Sequence, residues 1–256
     1  MLSFNIIGNL GRLGNQMFQY AALKGIASYH GYEFVIPPKC EGGVIYDVFS
    51  IQKTNNTQLT NNPSIGEGTH SFNDELFRNC PDDVDLCGYF QTHKYFQHIE
   101  DEIRKDFSFR SEVIKDCCAF LIKNFNNCEF ISLHVRRGDY VGNSCHPVQT
   151  VEYYQQALEK MPENIPVIIF SDEPDWCSSQ EFFNSDRFLI SKNNSTEVDL
   201  CLMSLANYHI IANSSFSWWG AWLAKSKKTI APKYWFSGGI SFKSVHDMAF
   251  DGFEFL

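Results

Sequence analysis

The sequence has no apolar run near the ~18 residues that a membrane-spanning helix needs, so no integral membrane segment is expected. It also has little positive charge: 21 Lys and Arg face 30 Asp and Glu, for a net charge of −9. A nucleic-acid binder needs a basic footprint, and an anionic lipid surface needs a polybasic run; neither is present. Cys-x-x-Cys, His-x-x-x-His and His-Glu-x-x-His are missing, so no metal centre is expected. The cysteines number nine, an odd count, and no secretory apolar region is read at the start. Together these features point to reduced thiols in a cytosol. In that compartment the sequon-like Asn55-Asn56-Thr57 and Asn213-Ser214-Ser215 carry no meaning. No internal repeat or low-complexity segment is found.

What is present is a chain of 256 residues, 44% hydrophobic, long enough for one large domain or two compact ones. Its 23 Phe, 11 Tyr and 5 Trp are many for this length; aromatic faces stack on sugars and bases, but core packing is the simpler reading. Residues 3–36 read as strand ("FNII"), glycine turn ("GNLGRLG"), helix ("NQMFQYAALKGIASYH", stopped by Gly31) and strand ("EFVIP"). Residues 40–80 show no sustained period and are expected to be irregular. A strand is expected at 84–90, then helices at 94–105 and 111–125.

From residue 129 strands alternate with helices. "FISLHV", "PVIIF", "RFLI", "YHIIA" and a last strand "TIAP" are the strands. The helices are 150–161, 174–183 with proline at its start, 196–207 with Thr196 as cap, and "FSWWGAWLAKSKK" with lysines in its last turn. This alternation predicts a doubly wound parallel sheet. Two such units separated by an irregular stretch predict two Rossmann-like halves, residues 1–127 and 128–256.

Ligands of open α/β sheets bind beyond the carboxyl ends of the strands, so the residues after each strand are the candidates. After "ISLHV" stand Arg136 and Arg137, on an otherwise acidic chain; after "PVIIF" stand Ser171, Asp172 and Glu173; after "YHIIA" stand Asn213, Ser214 and Ser215 at a helix start. Arginine forks and free helix N–H groups suit a phosphate. Neighbours on a strand alternate faces, so one arginine should meet the ligand while the other braces internally, with Asp139 as its partner and Gly138 permitting the turn. The glycines at 8, 11 and 14 do not have dinucleotide spacing, and no acid holds a ribose, so a nicotinamide enzyme is rejected. Asp83 and Asp85 precede their strand and read as a solvated acidic turn. His134 lies within a strand, as a core residue or as a ligand contact.

Five segments, in order along nearly the whole chain, resemble the bacterial α-1,2-fucosyltransferases of glycosyltransferase family eleven. They are "GRLGNQMFQYA", "GYFQ" with "KYF", "HVRRGDY", "FSDEPDW" and "IIANSSFSWWGAWL". The resemblance implies a GT-B fold, two Rossmann-like domains facing a central cleft. The first would be an acceptor-side domain and the second would bind GDP-fucose. It implies inverting, metal-independent transfer of fucose to the 2-hydroxyl of a terminal β-galactoside in an oligosaccharide or surface glycan, with no cofactor and no nucleic-acid partner.

Carried onto this chain, Arg136, Asp139 and Asn15 are the catalytic set. Donor contacts fall to His134, Arg136, Asp172, Asp199, Asn213, Ser214, Ser215 and Phe216. Asp199 would read guanine, Ser214 and Ser215 would hold phosphates, and Asn15 would reach towards donor and acceptor. For the general base, Asp139 stands first, with Asp172, Glu173 and His146 as alternatives. One departure is the stretch "IIGNLGRLGNQ", longer than the family's glycine turn, which leaves the first loop's register open. A fucosyltransferase of other acceptor or linkage, or a non-catalytic nucleotide-binding protein, remains as an alternative. The reading places the chain in the cytoplasm, with peripheral membrane association left open.

Overall fold

The computed structural model describes residues 1–39, 42–49, 51, 62–68, 70–125, 129–237 and 245–256. The chain separates into two compact units, Met1–Arg110 with His246–Met248, and Ser111–Val245 with Ala249–Leu256.

The first unit is a parallel sheet of Leu2–Ser3 (β1), Phe34–Val35 (β2), Ser64–Gly66 (β3) and Asp85–Cys87 (β4), in the order β2-β1-β4-β3. The expected strand at 4–7 is displaced, because the chain turns after Ser3. The Ser3 hydroxyl and the Asn5 N–H both donate to Asp85 Oδ1 at 2.8 Å. Asp85 is thus a strand residue that pins this turn, and not part of a solvated one. The helix Leu13–His30 (α1) is buried nearly all round and ends at Gly31, whose φ of +71° needs glycine. Gly25 lets it lie against the backbone of Tyr95; a Cβ there would sit 2.1 Å from the Tyr95 carbonyl oxygen. The stretch 40–80, expected to be irregular, holds a short helix Ile45–Val48 (α2), β3 and a helix Asp74–Asn79 (α3). Its residues 40, 41, 50, 52–61 and 69 lie outside the described residues. Two short 3-10 turns, His93–Tyr95 and Gln97–Ile99, lead into Glu100–Asp106 (α4), shorter than the single helix expected over 94–105.

The second unit begins with Ser111–Phe125 (α5), which the sequence pattern assigns to the first half. Its apolar stripe Val113, Cys117 and Leu121 is buried, and the Cys117 thiol donates to the Val198 carbonyl at 3.6 Å, so packing joins it to the second unit. The boundary expected at 127/128 itself falls outside the described residues.

The strands are Ile131–Val135 (β5), Val167–Ser171 (β6), Phe188–Ile190 (β7), Tyr208–Ile210 (β8), Lys228–Ala231 (β9) and Phe253–Phe255 (β10). All pairs are parallel, in the order β10-β9-β8-β5-β6-β7. The helices are Val151–Glu159 (α6), Pro174–Ser179 (α7), Thr196–Ser204 (α8) and Ser215–Leu223 (α9). Beyond the expected last strand at 229–232 comes β10, which extends the edge. The lysines expected inside α9 lie past its end. Lys225 turns left-handed at φ +50° and stops the helix, and Lys228 already belongs to β9. The cap of α8 is Ser195, one residue before the expected Thr196. Strand β5 is buried on both faces: Ile131, Leu133 and Val135 pack with Tyr154 and Ala157 of α6, while Ser132 and His134 take the other face.

Glu67, just past β3, is only 6% exposed. It accepts the Phe90 N–H at 2.8 Å, where Phe90 sits left-handed at φ +51°. Burial raises its carboxyl from the ordinary 4.5 to about 7, against the opposing hydrogen bonds from Phe90, Tyr95 and Tyr89. A raised acid pKa means that the folded state holds the proton more tightly. The contribution of Glu67 to stability is therefore fully present below about pH 4.5 and is lost as pH rises to about 7, by on the order of 3 kcal/mol. Glu67→Gln keeps an acceptor for Phe90 and removes this titration. Urea unfolding across pH should show the variant gaining on the parent between those values; a constant difference would contradict the assignment.

Candidate active site

The strand order of the second unit is the 3-2-1-4-5-6 order of dinucleotide folds, which reverses between β5 and β8. The crevice at that reversal is lined by the residues just past these two strands, Arg136 onward and Asn213 onward.

Arg136 lies just past β5. Its Nη1 pairs with Asp172 Oδ2 at 3.0 Å and its Nη2 with Asp139 Oδ1. Asp172, just past β6, also accepts the backbone N–H of Arg137 at 3.0 Å. One carboxylate therefore fixes both the loop and the guanidinium. Gly138 makes room for it: a Cβ there would lie 2.5 Å from Asp172 Oδ2. Arg137 turns away, as strand alternation predicts, but its partner is not Asp139. Its Nε donates to Glu173 Oε2 at 2.9 Å and its guanidinium stacks 4.0 Å from the Trp176 ring. Asp139 cannot serve Arg137 because the single turn Gly138–Tyr140 swings it back under Arg136. Trp176 was not singled out from the sequence, although "FSDEPDW" contains it.

Across the crevice, α9 starts at its cap residue Ser214, whose side chain makes no capping bond; Ser215 opens the helix. The Ser217 hydroxyl lies 3.3 Å from the Ser214 carbonyl and shares a hydrogen bond with His134 Nδ1 at 2.9 Å, which orients the ring. Burial, aided by Arg136, lowers His134 to about 3, so the ring is neutral at working pH. The Phe216 ring lies 5.9 Å from it. The Asn213 side chain is used internally: Nδ2 donates to the Pro147 and Trp235 carbonyls, and Oδ1 accepts from Gln149. Asn213 thereby shapes the crevice through its backbone, where its carbonyl accepts from Tyr140 at 3.1 Å. Tyr140 also stacks on Arg136 at 5.3 Å and on His146 at 4.8 Å. His146 Nδ1 is buried without a hydrogen-bond partner, and burial lowers the ring's pKa while Asp139 opposes this. Asp199 sits on α8 beyond β7. It accepts from the Ser191 hydroxyl at 2.7 Å, and burial raises its pKa. Among the described residues no three metal-ligating side chains converge.

Asn15 belongs to the first unit and is described there. The reversal of that sheet lies between β1 and β4, and Asn15 Oδ1 accepts from Gln91 Nε2 at 2.7 Å across it. The glycine loop is held by two buried amides. Gln16 donates to the carbonyls of Gly11 and Gly42, and Gln19 to those of Leu10 and Gly88. Gly11, at φ +81°, leaves space for Asn15, whose Nδ2 would be 2.4 Å from a Cβ. The motif is thus a loop clamp built of neutral amides.

The sequence profile of "Glycosyl transferase family 11" matches residues 2–242. An α-1,2-colitosyltransferase of Escherichia coli is 32% identical, over 88% of this chain and 90% of that protein. The galactoside α-(1,2)-fucosyltransferase 2 of Bos taurus is 27% identical, over 89% and 71% respectively. Among solved structures, the NodZ α-1,6-fucosyltransferase soaked with GDP-fucose superposes with a TM-score of 0.60 at 14% identity, covering 89% of this chain and 93% of that one. The fold is accordingly the GT-B type expected, built of two Rossmann-like α/β units.

The Arg137 brace can be tested without substrate. Arg137→Lys loses both the planar stack on Trp176 and the Nε–H bond to Glu173. It should cost about 1–2 kcal/mol and lower the melting temperature by roughly 2–6 °C. An unchanged melting temperature in calorimetry would remove the brace.

Proposed function

The chain belongs to glycosyl transferase family 11 and is a glycosyltransferase, and from that premise we propose that it transfers L-fucose from GDP-fucose to the 2-hydroxyl of a terminal β-galactoside, with inversion. The observation that carries this reading is Arg136 at the β5/β8 reversal, held by Asp172 beside the start of α9. A guanidinium fixed there faces the position where a nucleoside diphosphate meets a helix N-terminus.

In this mechanism Arg136 and the first N–H groups of α9 take the charge that grows on the diphosphate as the anomeric bond breaks. They supply what a cation supplies elsewhere, so we propose metal-independent turnover. His134 brings a neutral imidazole to the site, and Asp199 reads the guanine. The first unit binds the acceptor, with Asn15 and Gln91 at its sheet reversal as the polar contacts. The acceptor oxygen attacks the anomeric carbon from the face opposite the diphosphate, and its proton passes to Asp139. The 32% identical colitosyltransferase makes colitosyl transfer the second reading, so the donor itself is under test.

GDP-fucose and GDP-colitose, each offered with a panel of galactosides, should give product from GDP-fucose with an α-1,2 linkage by NMR. Exclusive use of GDP-colitose, or another linkage, would overturn the finer reading. Turnover should survive excess EDTA; loss restored by Mg²⁺ or Mn²⁺ would contradict metal independence. Arg136→Lys keeps the charge and loses the fork, so kcat should fall by about 10²–10³, out of proportion to any change in melting temperature.

A further inference from the structure

Arg136 is paired with two carboxylates, Asp172 through Nη1 and Asp139 through Nη2. Arg136 and Arg137 bring two positive charges, while Asp139, Asp172 and Glu173 bring three negative ones. The guanidinium N–H groups held by Asp139 and Asp172 are those a diphosphate would use, so a donor has to compete with an acid for them. The three acids are not equally held. Asp172 is fixed at two points, by the Arg136 guanidinium and the Arg137 N–H, and is 23% exposed. Glu173 serves Arg137, whose guanidinium is also stacked on Trp176. Asp139 is 49% exposed and reaches Arg136 from a single 3-10 turn. Half-exposed ion pairs are weak and exchangeable.

A landing place lies beside it. The Asp139 backbone carbonyl accepts from Asn143 Nδ2 at 3.3 Å, and Asn143 Oδ1 accepts the N–H of His146 at 3.2 Å, so the turn and the histidine are one folded loop. The His146 ring is clamped between Tyr140 and Phe236, with its buried Nδ1 lacking a partner. Tyr140 is the residue next to Asp139, so the stack moves with the turn.

We propose that Asp139 is a place-holder for the donor diphosphate: it occupies Arg136 in the free protein, is displaced by the incoming phosphate oxygens, and turns towards His146 Nδ1–H. This rests on the reading that Arg136 receives the diphosphate. The exchange keeps Arg136 neutralised and oriented while the site is empty. It also releases a carboxylate only when donor is present, so proton uptake from the acceptor is possible only in the donor complex. When transfer occurs, the acceptor O–H gives its proton to that carboxylate, the new glycosidic bond forms, and the diphosphate leaves with the electrons of the broken one. Departure of GDP returns Arg136 to Asp139, which passes its proton to water.

A place-holder has a signature that a supporting residue lacks: removing its charge should tighten ligand binding. Calorimetry with GDP on the intact chain should show Asp139→Asn binding about ten-fold more tightly than the parent, or 1.4 kcal/mol, with the gain shrinking in high salt. Turnover by the same variant should fall. His146→Phe keeps the stack and removes Nδ1; it should weaken GDP binding in the parent but not in the Asp139→Asn background. Asp139→Ser repeats the measurement if the asparagine variant folds poorly, and melting temperatures report folding. Arg136→Ala should bind GDP poorly. If Arg136→Ala binds GDP as the parent does, the underlying reading fails. If Arg136→Ala loses binding but the Asp139 variants bind GDP equally or more weakly, the place-holder alone is overturned.

Discussion

The second unit depends on one carboxylate in two bonds. Asp172 takes the backbone N–H of Arg137 and the guanidinium of Arg136, both at 3.0 Å. A long arginine side chain has high rotamer entropy, and freezing it in an aqueous crevice is unfavourable without an anchor. Asp139 reaches the guanidinium from the turn that follows β5 but is half-exposed, and the more buried anchor comes from another strand. β6 supplies it, since parallel pairing sets Val135 beside Ser171 and brings the next residues of both chains together. Gly138 is the corresponding absence: any side chain there would fill the space that Asp172 occupies. The pair Arg-Arg-Gly on one strand end and Ser-Asp on the next is therefore a single geometric unit.

The two units solve the same problem with different chemistry. Both must hold irregular loops at the carboxyl ends of parallel strands, where backbone carbonyls are left without ladder partners. The first unit uses the neutral amides of Gln16 and Gln19, each bridging two loop carbonyls from a buried position on α1. The second uses ion pairs at the surface of its crevice. Neutral amides can be buried at little cost when satisfied, as the side-chain N–H groups of Gln16 and Gln19 are while the Gln19 Oε1 lacks a partner, whereas charges must stay near water or near a charged ligand. The distribution of amides and charges thus separates a clamp of neutral groups from a cluster of charges, and the proposed donor site lies at the latter.

Much of the fold was legible in the sequence. Alternation of strands and helices from residue 129 onward, Pro174 opening α7, Gly31 closing α1 and the polar residues beyond β5, β6 and β8 all arise from local chemistry. The failures have physical causes. Apolar "FNII" looks like strand, yet Asp85, distant in sequence, captures the Asn5 N–H and ends β1 early. The lysines past α9 fit a helix by propensity, but Lys225 turns left-handed so that β9 can begin. Asn213 resembled a phosphate ligand, but its amide is spent on Pro147, Trp235 and Gln149. The partners of the two arginines could not be read at all, because local spacing offers Asp139 to either one and only tertiary geometry decides. Glu67 gave no signal in a stretch without period, since its burial arises from the left-handed turn at Phe90.

The crossing of those partners changes what the arginine motif means. Had Asp139 braced Arg137, as spacing suggested, Arg136 would keep Asp172 as its one carboxylate. A guanidinium with one carboxylate, beside a buried neutral His134 and a helix N-terminus, would be the more open to any phosphate. With Asp139 and Asp172 on Arg136 instead, a ligand gains only the difference between its own contacts and those it displaces. Inorganic phosphate, with one contact to offer, gains little. On the proposed reading, a nucleoside diphosphate would add base and ribose contacts elsewhere in the unit and meet that cost. Selectivity for the whole donor would then result from making the most attractive single contact the one that must be exchanged for.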